Sequence, residues 1–261
     1  MKKFLFAVFA GAMLFLTGCK KDDTLKVSMA ATFPPFEYKE GTEYKGVDVE
    51  IAKEIAKRIG KKIEYADMEF DSVLSSLSSG NVDFSASGLT INAVRSKVVD
   101  FSIPYFDAAQ VIIIRKGDLE DLRVLSNDKD ALIRLINNKK GIKIGVQTGT
   151  TGALYAKGDS GWGFAGFKDA DVKNFVNGAM ALSALLNKQI DLIILDEMPA
   201  KLLSKASGQT DVLDTSLTDE KYGIAVKKGN KALLDSINTH LEAMQKDGTL
   251  DKIITKYFGG N

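Results

Sequence analysis

One short segment concentrates groups that could hold a small anion. Ser87-Gly88-Leu89-Thr90-Ile91-Asn92-Ala93-Val94-Arg95 leaves an apolar run, turns at Gly88 and is predicted to enter a short helix near Thr90 or Asn92. Such a turn aims backbone N–H groups outward, with Arg95 in reach. Two or three N–H or O–H donors beside a planar guanidinium fork are what a carboxylate needs. Taken alone, Arg95 also reads as a solvated helix charge. A second turn, Gly145-Val-Gln-Thr-Gly149-Thr-Thr-Gly152, is rich in backbone donors but lacks the lysine of a phosphate loop. It suits a small anionic or polar group. The chain has one histidine, His240, and one cysteine, Cys19. Neither belongs to a cluster with metal-ligand spacing. No metal, cofactor or nucleophilic catalysis is expected.

The elements that must position these residues alternate. Strands are predicted over Leu25–Met29, Lys62–Ala66, Val82–Ser87, Gln110–Arg115, Gly141–Val146, Asp191–Leu195 and Tyr222–Val226. Val47, Ile51, Ile55 and Ile59 recur every four residues and mark a helix, as do Phe70, Val73, Leu74 and Leu77. Further helices are predicted from about Thr150, over Ala179–Asn187 and along Leu234, Ile237, Leu241 and Met244. This alternation means an α/β protein with largely parallel sheets.

An internal echo ties the two halves together. Leu74-Ser75-x-Leu77, then Val82-Asp83 and an apolar strand, recurs as Leu182-Ser183-x-Leu185, then Ile190-Asp191 and an apolar strand. The same offset places Gly88 and Asp196 just past the carboxyl ends of the two strands. In open α/β sheets that edge is where ligands bind. Two such lobes would set the two edges face to face across a cleft.

A net charge of +1 gives no electrostatic case for nucleic acid or an acidic polymer. The N-terminus reads as a secretory signal: Lys2 and Lys3, an apolar run from Phe4 to Leu16, then Leu16-Thr17-Gly18-Cys19. That ending resembles a bacterial lipobox, which implies cleavage before Cys19 and acylation of its thiol, palmitate included. Residues 1–18 are then the signal peptide and 19–24 a lipidated tether. The mature chain is expected outside the cytoplasmic membrane, anchored by its acyl chains. No later apolar run is long enough to span a bilayer.

From about Leu25 to Gly259 the chain resembles the extracytoplasmic solute-binding proteins, family 3, of polar amino-acid ABC importers. The resemblance rests on Phe33-Pro34-Pro35-Phe36-Glu37-Tyr38, Gly46-Val47-Asp48-Val49 and Gly88-Leu89-Thr90-Ile91 through Arg95. It continues with Val99-Asp100-Phe101-Ser102, Pro104-Tyr105, Gly145-Val146-Gln147-x-Gly149-Thr150-Thr151 and Asp191 through Asp196. It ends with Tyr222-Gly223-Ile224-Ala225-Val226, Asp247-Gly248-Thr249-Leu250 and Lys256-Tyr257-Phe258-Gly259. Order and spacing, rather than any one motif, make it specific.

The resemblance implies a two-lobe periplasmic-binding-protein type II (Venus-flytrap) fold joined by two hinge strands. Lobe 1 would hold residues 25–106 plus 220–261, and lobe 2 residues 107–219, with crossings near Phe106–Gln110 and Glu220–Gly223. It implies that Arg95 clamps a ligand α-carboxylate, helped by Thr90, the backbone of Gly88, and Thr151. Asp196 would take the α-ammonium. Phe33 and Phe70 would wall the ligand, meeting the ammonium or side chain with their ring faces. Gln147 would approach the ligand side chain. By spacing alone, Phe70 is also an ordinary core residue.

The implied function is capture of a free amino acid by a monomer and its delivery to a membrane ABC permease. Relatives that take cationic amino acids often carry an acid three positions before the wall aromatic; here that residue is Ala30. An unpartnered buried cation is costly, so a small polar-neutral or moderately apolar amino acid is expected. A dehydratase of the cyclohexadienyl type, on the same fold, would keep the Arg95 clamp but needs an acid over the ring. Glu37 and Glu197 are the nearby candidates. A sensor acting with a partner receptor is a third reading.

Overall fold

The computed structural model describes residues 23–125, 127–159 and 163–259. The predicted signal and Cys19 lie outside them. Thr24, the last residue of the predicted tether, already opens the first strand. The chain starts with β1 (Thr24–Met29), three short strands β2 (Thr32–Phe33), β3 (Glu37–Glu40) and β4 (Glu43–Lys45), and helix α1 (Val47–Ile59). Then come β5 (Lys62–Asp67), α2 (Phe70–Ser79), β6 (Phe84–Ser85), β7 (Val99–Phe101) and β8 (Phe106–Ala108). The middle of the chain holds β9 (Gln110–Arg115), α3 (Glu120–Val124), α4 (Lys129–Asn138), β10 (Lys143–Gln147) and α5 (Thr151–Lys157). It continues with β11 (Asp171–Phe175), α6 (Gly178–Leu186), β12 (Leu192–Asp196), α7 (Glu197–Ser207) and β13 (Thr210–Val212). Finally come β14 (Glu220–Tyr222), β15 (Ala225–Lys227), α8 (Lys231–Lys246) and α9 (Thr249–Phe258).

Two five-stranded sheets result, in the orders β5-β1-β6-β15-β7 and β11-β10-β12-β9-β13. Between them in the chain path, β8 and β14 pair antiparallel, Phe106 opposite Tyr222 and Ala108 opposite Glu220. The fold is the expected two-lobed α/β type. The sheets, however, are mixed rather than largely parallel. β1 runs parallel to β5 and β6, and β10 parallel to β11 and β12. β9 is antiparallel to β12 and β13, and β15 to β6 and β7. The cause is the crossing: β9 and β15 are fed from β8 and β14, not from a helix returning over the sheet, so they run opposite to the helix-connected strands.

The periodic stripes form the core. Ile51, Ala52, Ile55 and Ala56 of α1 are buried in one cluster with Val27 and Met29 of β1. Each isoleucine removed from water contributes about 1.5–3 kcal/mol. Val111 to Ile114 and Leu192 to Leu195 are all buried, as strands covered on both faces require. Helix starts are closed by side chains: Asp128 for α4, Thr150 for α5, Asn177 for α6 and Asn230 for α8. The internal echo has a physical counterpart. The Lys26 N–H donates to Asp83 Oδ2 at 2.8 Å while the Asp83 N–H donates to the Lys26 carbonyl. Lys143 and Asp191 repeat both bonds in the other sheet.

Two predicted elements fall differently. Tyr222–Val226 is not one strand; it breaks at Gly223-Ile224 because Tyr222 pairs with the crossing and Ala225 with the first sheet. The helix near Thr90 is absent. Thr90 instead bridges Tyr222, the Ile91 N–H donates to the Lys221 carbonyl, and only a 3-10 turn forms, at Arg95–Lys97. Pairing with the crossing strand takes the backbone groups that a helix would have used.

An aromatic cluster sits beneath the crossing. The Phe36 ring lies 5.7 Å from Phe33, 5.0 Å from Phe106, 5.1 Å from Tyr222 and 5.7 Å from Phe258. It ties β8, β14 and the end of α9 to the segment that carries Phe33. Phe36→Ala is expected to cost about 3–5 kcal/mol, read as a lower urea midpoint. A loss below about 1 kcal/mol would show that the cluster does not support the crossing.

Candidate functional site

The two strand ends meet across the lobes. β6 leads through Ser87 to Gly88, and β12 ends at Asp196. Around them Phe33, Phe70, Gly88, Thr90, Arg95, Gln147, Thr150, Thr151 and Asp196 line one cavity of about 10 Å³. All eight ligand-contact residues expected from the sequence are among these nine; Thr150, the α5 cap, is the addition. That is about the room of one water molecule, so the two sides of the cleft are shut on each other here.

Arg95 is buried, and its side chain joins the two lobes. Nη1 donates to the Thr90 carbonyl at 3.0 Å and Nη2 to the Gly149 carbonyl at 3.1 Å. Its guanidinium carbon lies 5.5 Å from the centre of the Phe70 ring, so Phe70 is a wall residue and not only a core one. The backbone N–H of Arg95 donates to Asn92 Oδ1, fixing the turn. Burial lowers the Arg95 pKa, and the charges of Glu220 and Asp196 oppose that. Two bonded N–H groups out of five leave donors for a carboxylate. Gly149, at φ +78°, lies at a close approach of the lobes: a Cβ on it would lie 3.1 Å from the Asp71 backbone. A side chain there would hold the cleft open.

Asp196 is buried at the end of β12 and accepts from the Tyr222 hydroxyl. Burial raises its pKa to about 7, the neighbouring Glu220 charge adds to the rise, and Tyr222, Gln110 and Arg95 oppose it. Glu37 and Asp48 form a second buried acidic pair directly behind Gly88. Burial raises Asp48 to about 6, and burial plus the Asp48 charge holds Glu37 well above its ordinary value.

Two details correct the expected carboxylate subsite. The Gly88 N–H donates to Asp48 Oδ2 at 2.5 Å, so it is not offered to a ligand; the Gly88 carbonyl is the group left to accept. Gly88 itself, at φ +51°, has no room for a Cβ, which would lie 2.8 Å from the Phe33 ring. Thr90 and Thr151 also do not aim their hydroxyl protons at the cavity. Both donate to Glu220 Oε2, at 2.6 and 2.8 Å, while Thr218 donates to Glu220 Oε1 at 2.7 Å. Gln110 Nε2 donates to Thr151 Oγ1 at 3.0 Å. Glu220, Gln110, Asp48 and Tyr222 were not singled out as site residues from the sequence. Glu220 and Tyr222 are two apart on β14 and both buried, so period-2 reading of that strand carries the one available signal.

One cation, Arg95, and one acid, Asp196, thus line the same cavity between the lobes. The chain belongs to the bacterial extracellular solute-binding proteins, family 3, whose family model matches residues 25–260. It is 32% identical to a probable histidine-binding protein of Neisseria gonorrhoeae, over 99% of this chain and 96% of that one. It is 30% identical to an L-cystine-binding protein of Escherichia coli K12, over 94% of this chain and 86% of that one. Among solved structures it is similar to an ancestral amino acid-binding protein described as a precursor of cyclohexadienyl dehydratase. That match has a TM-score of 0.79 and 32% identity, and covers 90% of this chain and 96% of the other. All three are named as amino-acid-binding proteins.

The raised Asp196 pKa carries a testable sign. Between about pH 4 and 7 the folded chain holds a proton on Asp196 that the unfolded chain has released. Stability of the ligand-free protein therefore falls as pH rises through that window. Glu220, Arg95 and Tyr222 are the ionisable groups facing it. Asp196→Asn is expected to raise the ligand-free melting temperature by several degrees at pH 8 and to change it little at pH 4. Parallel melting curves of the two proteins from pH 4 to 8 would refute this.

Proposed function

We propose that this protein is an extracytoplasmic, lipid-anchored receptor that captures one free L-amino acid between its lobes and hands it to an ABC importer. The observation that carries the reading is the placing of Arg95 and Asp196, from opposite lobes, in one small cavity. An α-amino acid presents a carboxylate and an ammonium on adjacent atoms. Arg95 supplies the planar fork for the first. Asp196 and the Gly88 carbonyl supply acceptors for the second. Phe33 and Phe70 exclude water and wall the ligand, and Gln147 approaches its side chain. Residues 25–106 with 220–261 act as one lobe and 107–219 as the other, swinging about β8 and β14. A ligand touching both lobes favours the closed state through differential affinity.

Anchoring is assigned to Cys19, and delivery to a permease follows the transport relatives. Those relatives are named for different amino acids, histidine and L-cystine. Ala30 is buried and its N–H donates to Ser87 Oγ. It offers no counter-charge, so any charge that balances a cationic head must come from elsewhere in the cleft. For the dehydratase reading, neither candidate acid lines the cavity. Glu37 accepts from Ser87 Oγ behind the wall, and Glu197 pairs with Lys201.

The test is calorimetry and thermal shift on the protein, unfolded and refolded to strip carried ligand, against the common L-amino acids and small cyclic acids. At one hundred times Kd a ligand adds about 2.7 kcal/mol, several degrees in a chain of this size. Arg95→Ala and Asp196→Ala are each expected to weaken binding at least a hundredfold, since each leaves a buried charge unpaired. A shift from a cyclic acid and from no amino acid would overturn the reading in favour of the enzyme. Cys19→Ser is expected to release the protein from membranes; unchanged membrane retention would refute the anchor.

A further inference from the structure

Buried acidic side chains outnumber buried basic ones. Among the described residues five charged side chains are buried: Glu37, Asp48, Asp196, Glu220 and the single cation Arg95. No ion pair among those residues includes any of the five. Arg95 directs two N–H groups to carbonyls instead. Glu220 is held by three threonine hydroxyls, one from the first lobe and two from the middle of the chain.

Glu220 also sets the hydrogen-bond polarity of the cavity. A hydroxyl has one proton. Thr90 and Thr151 give theirs to Glu220, so both present only lone pairs elsewhere. Gln147 and Gln110 each have a buried side-chain carbonyl oxygen with no partner; Gln147 lines the cavity and Gln110 lies behind Thr151. The wall is therefore rich in acceptors, with Arg95 as its one charged donor. A zwitterion with a neutral side chain adds no net charge, and leaves two carboxylates, Asp196 and Glu220, against one guanidinium. An amino acid with a cationic side chain removes that excess and brings further N–H donors.

We propose that Glu220 is a positioning residue that sets specificity: its buried charge, acting through Thr90 and Thr151, makes the cleft prefer an amino acid of net positive charge. This rests on the amino-acid reading above and replaces the neutral preference drawn from Ala30. The counter-charge comes from the crossing strand β14, not from the segment before Phe33. Coulomb attraction in a water-poor site is strong enough to matter at distances where no direct contact is made.

The test is calorimetry on the full chain in detergent, stripped of carried ligand, with two isosteric pairs: L-arginine against L-citrulline, and L-ornithine against L-norleucine. The cationic member of at least one pair is expected to bind at least tenfold tighter. In Glu220→Gln that ratio is expected to fall at least tenfold, and in Glu220→Asp to be kept. A purely structural role would weaken both members alike and leave the ratio unchanged. Equal affinities within both pairs in the wild type, or an unmoved ratio in Glu220→Gln, overturns the inference while the amino-acid reading stands. Failure to bind any amino acid overturns both. If Glu220→Gln does not fold, the wild-type ratio and its retention in Glu220→Asp still decide.

Discussion

Burying charge is the constraint on which this molecule depends, and it does so in one region. Glu37, Asp48, Arg95, Asp196 and Glu220 are in or directly behind the cleft; no other acidic or basic side chain of the described residues is buried. A charge removed from water needs fixed dipoles or an opposite charge around it. Here the dipoles are supplied first: carbonyls for Arg95, hydroxyls for Glu220 and Asp196, a backbone N–H for Asp48. These partners come from both lobes, so the lobes meet in a defined geometry. What the dipoles do not supply is an equal number of basic partners, and the proposed ligand preference rests on that remainder.

The crossing between the lobes belongs to the same system. Tyr222 bonds Asp196 through its hydroxyl and packs its ring against Phe36. Glu220, two residues earlier on the same strand, collects hydroxyls from both sides of the cleft. In the proposed closure, rotation about β8 and β14 moves the strand that carries this charge. Sensing and closure would then share atoms, which is the requirement for a ligand to shift populations rather than merely occupy a space.

The two sheets offer their strand ends in the same way because each half repeats one device. Asp83 and Asp191 each clip the start of a neighbouring strand through a side-chain acceptor and a backbone donor. The strand that follows ends at the cleft, at Gly88 in one half and Asp196 in the other. The repeat gives two edges; the difference between a glycine and an aspartate at matching places makes one edge a backbone acceptor and the other a carboxylate.

Much of this was legible in the residues. Apolar period fixed α1, α2 and α8, because a stripe such as Val47, Ile51, Ile55 and Ile59 has only one way to leave water. Runs such as Val111 to Ile114 and Leu192 to Leu195 could only be strands covered on both faces. Arg95 and Asp196 stood out through motif and internal offset, as did Phe33 and Gln147 through motif. What only the tertiary structure decided were the partners of the polar groups. Thr90 pairs with a strand over a hundred residues away and so forms no helix. The Gly88 N–H belongs to Asp48. Thr90 and Thr151 turn their protons to Glu220, an acid that looks in the sequence like any surface residue of a polar turn. Periodicity is a property of neighbours along the chain, and one segment suffices to read it. The direction of a hydroxyl proton and the burial of a single carboxylate are set by groups from distant segments, and exist only once the lobes have closed.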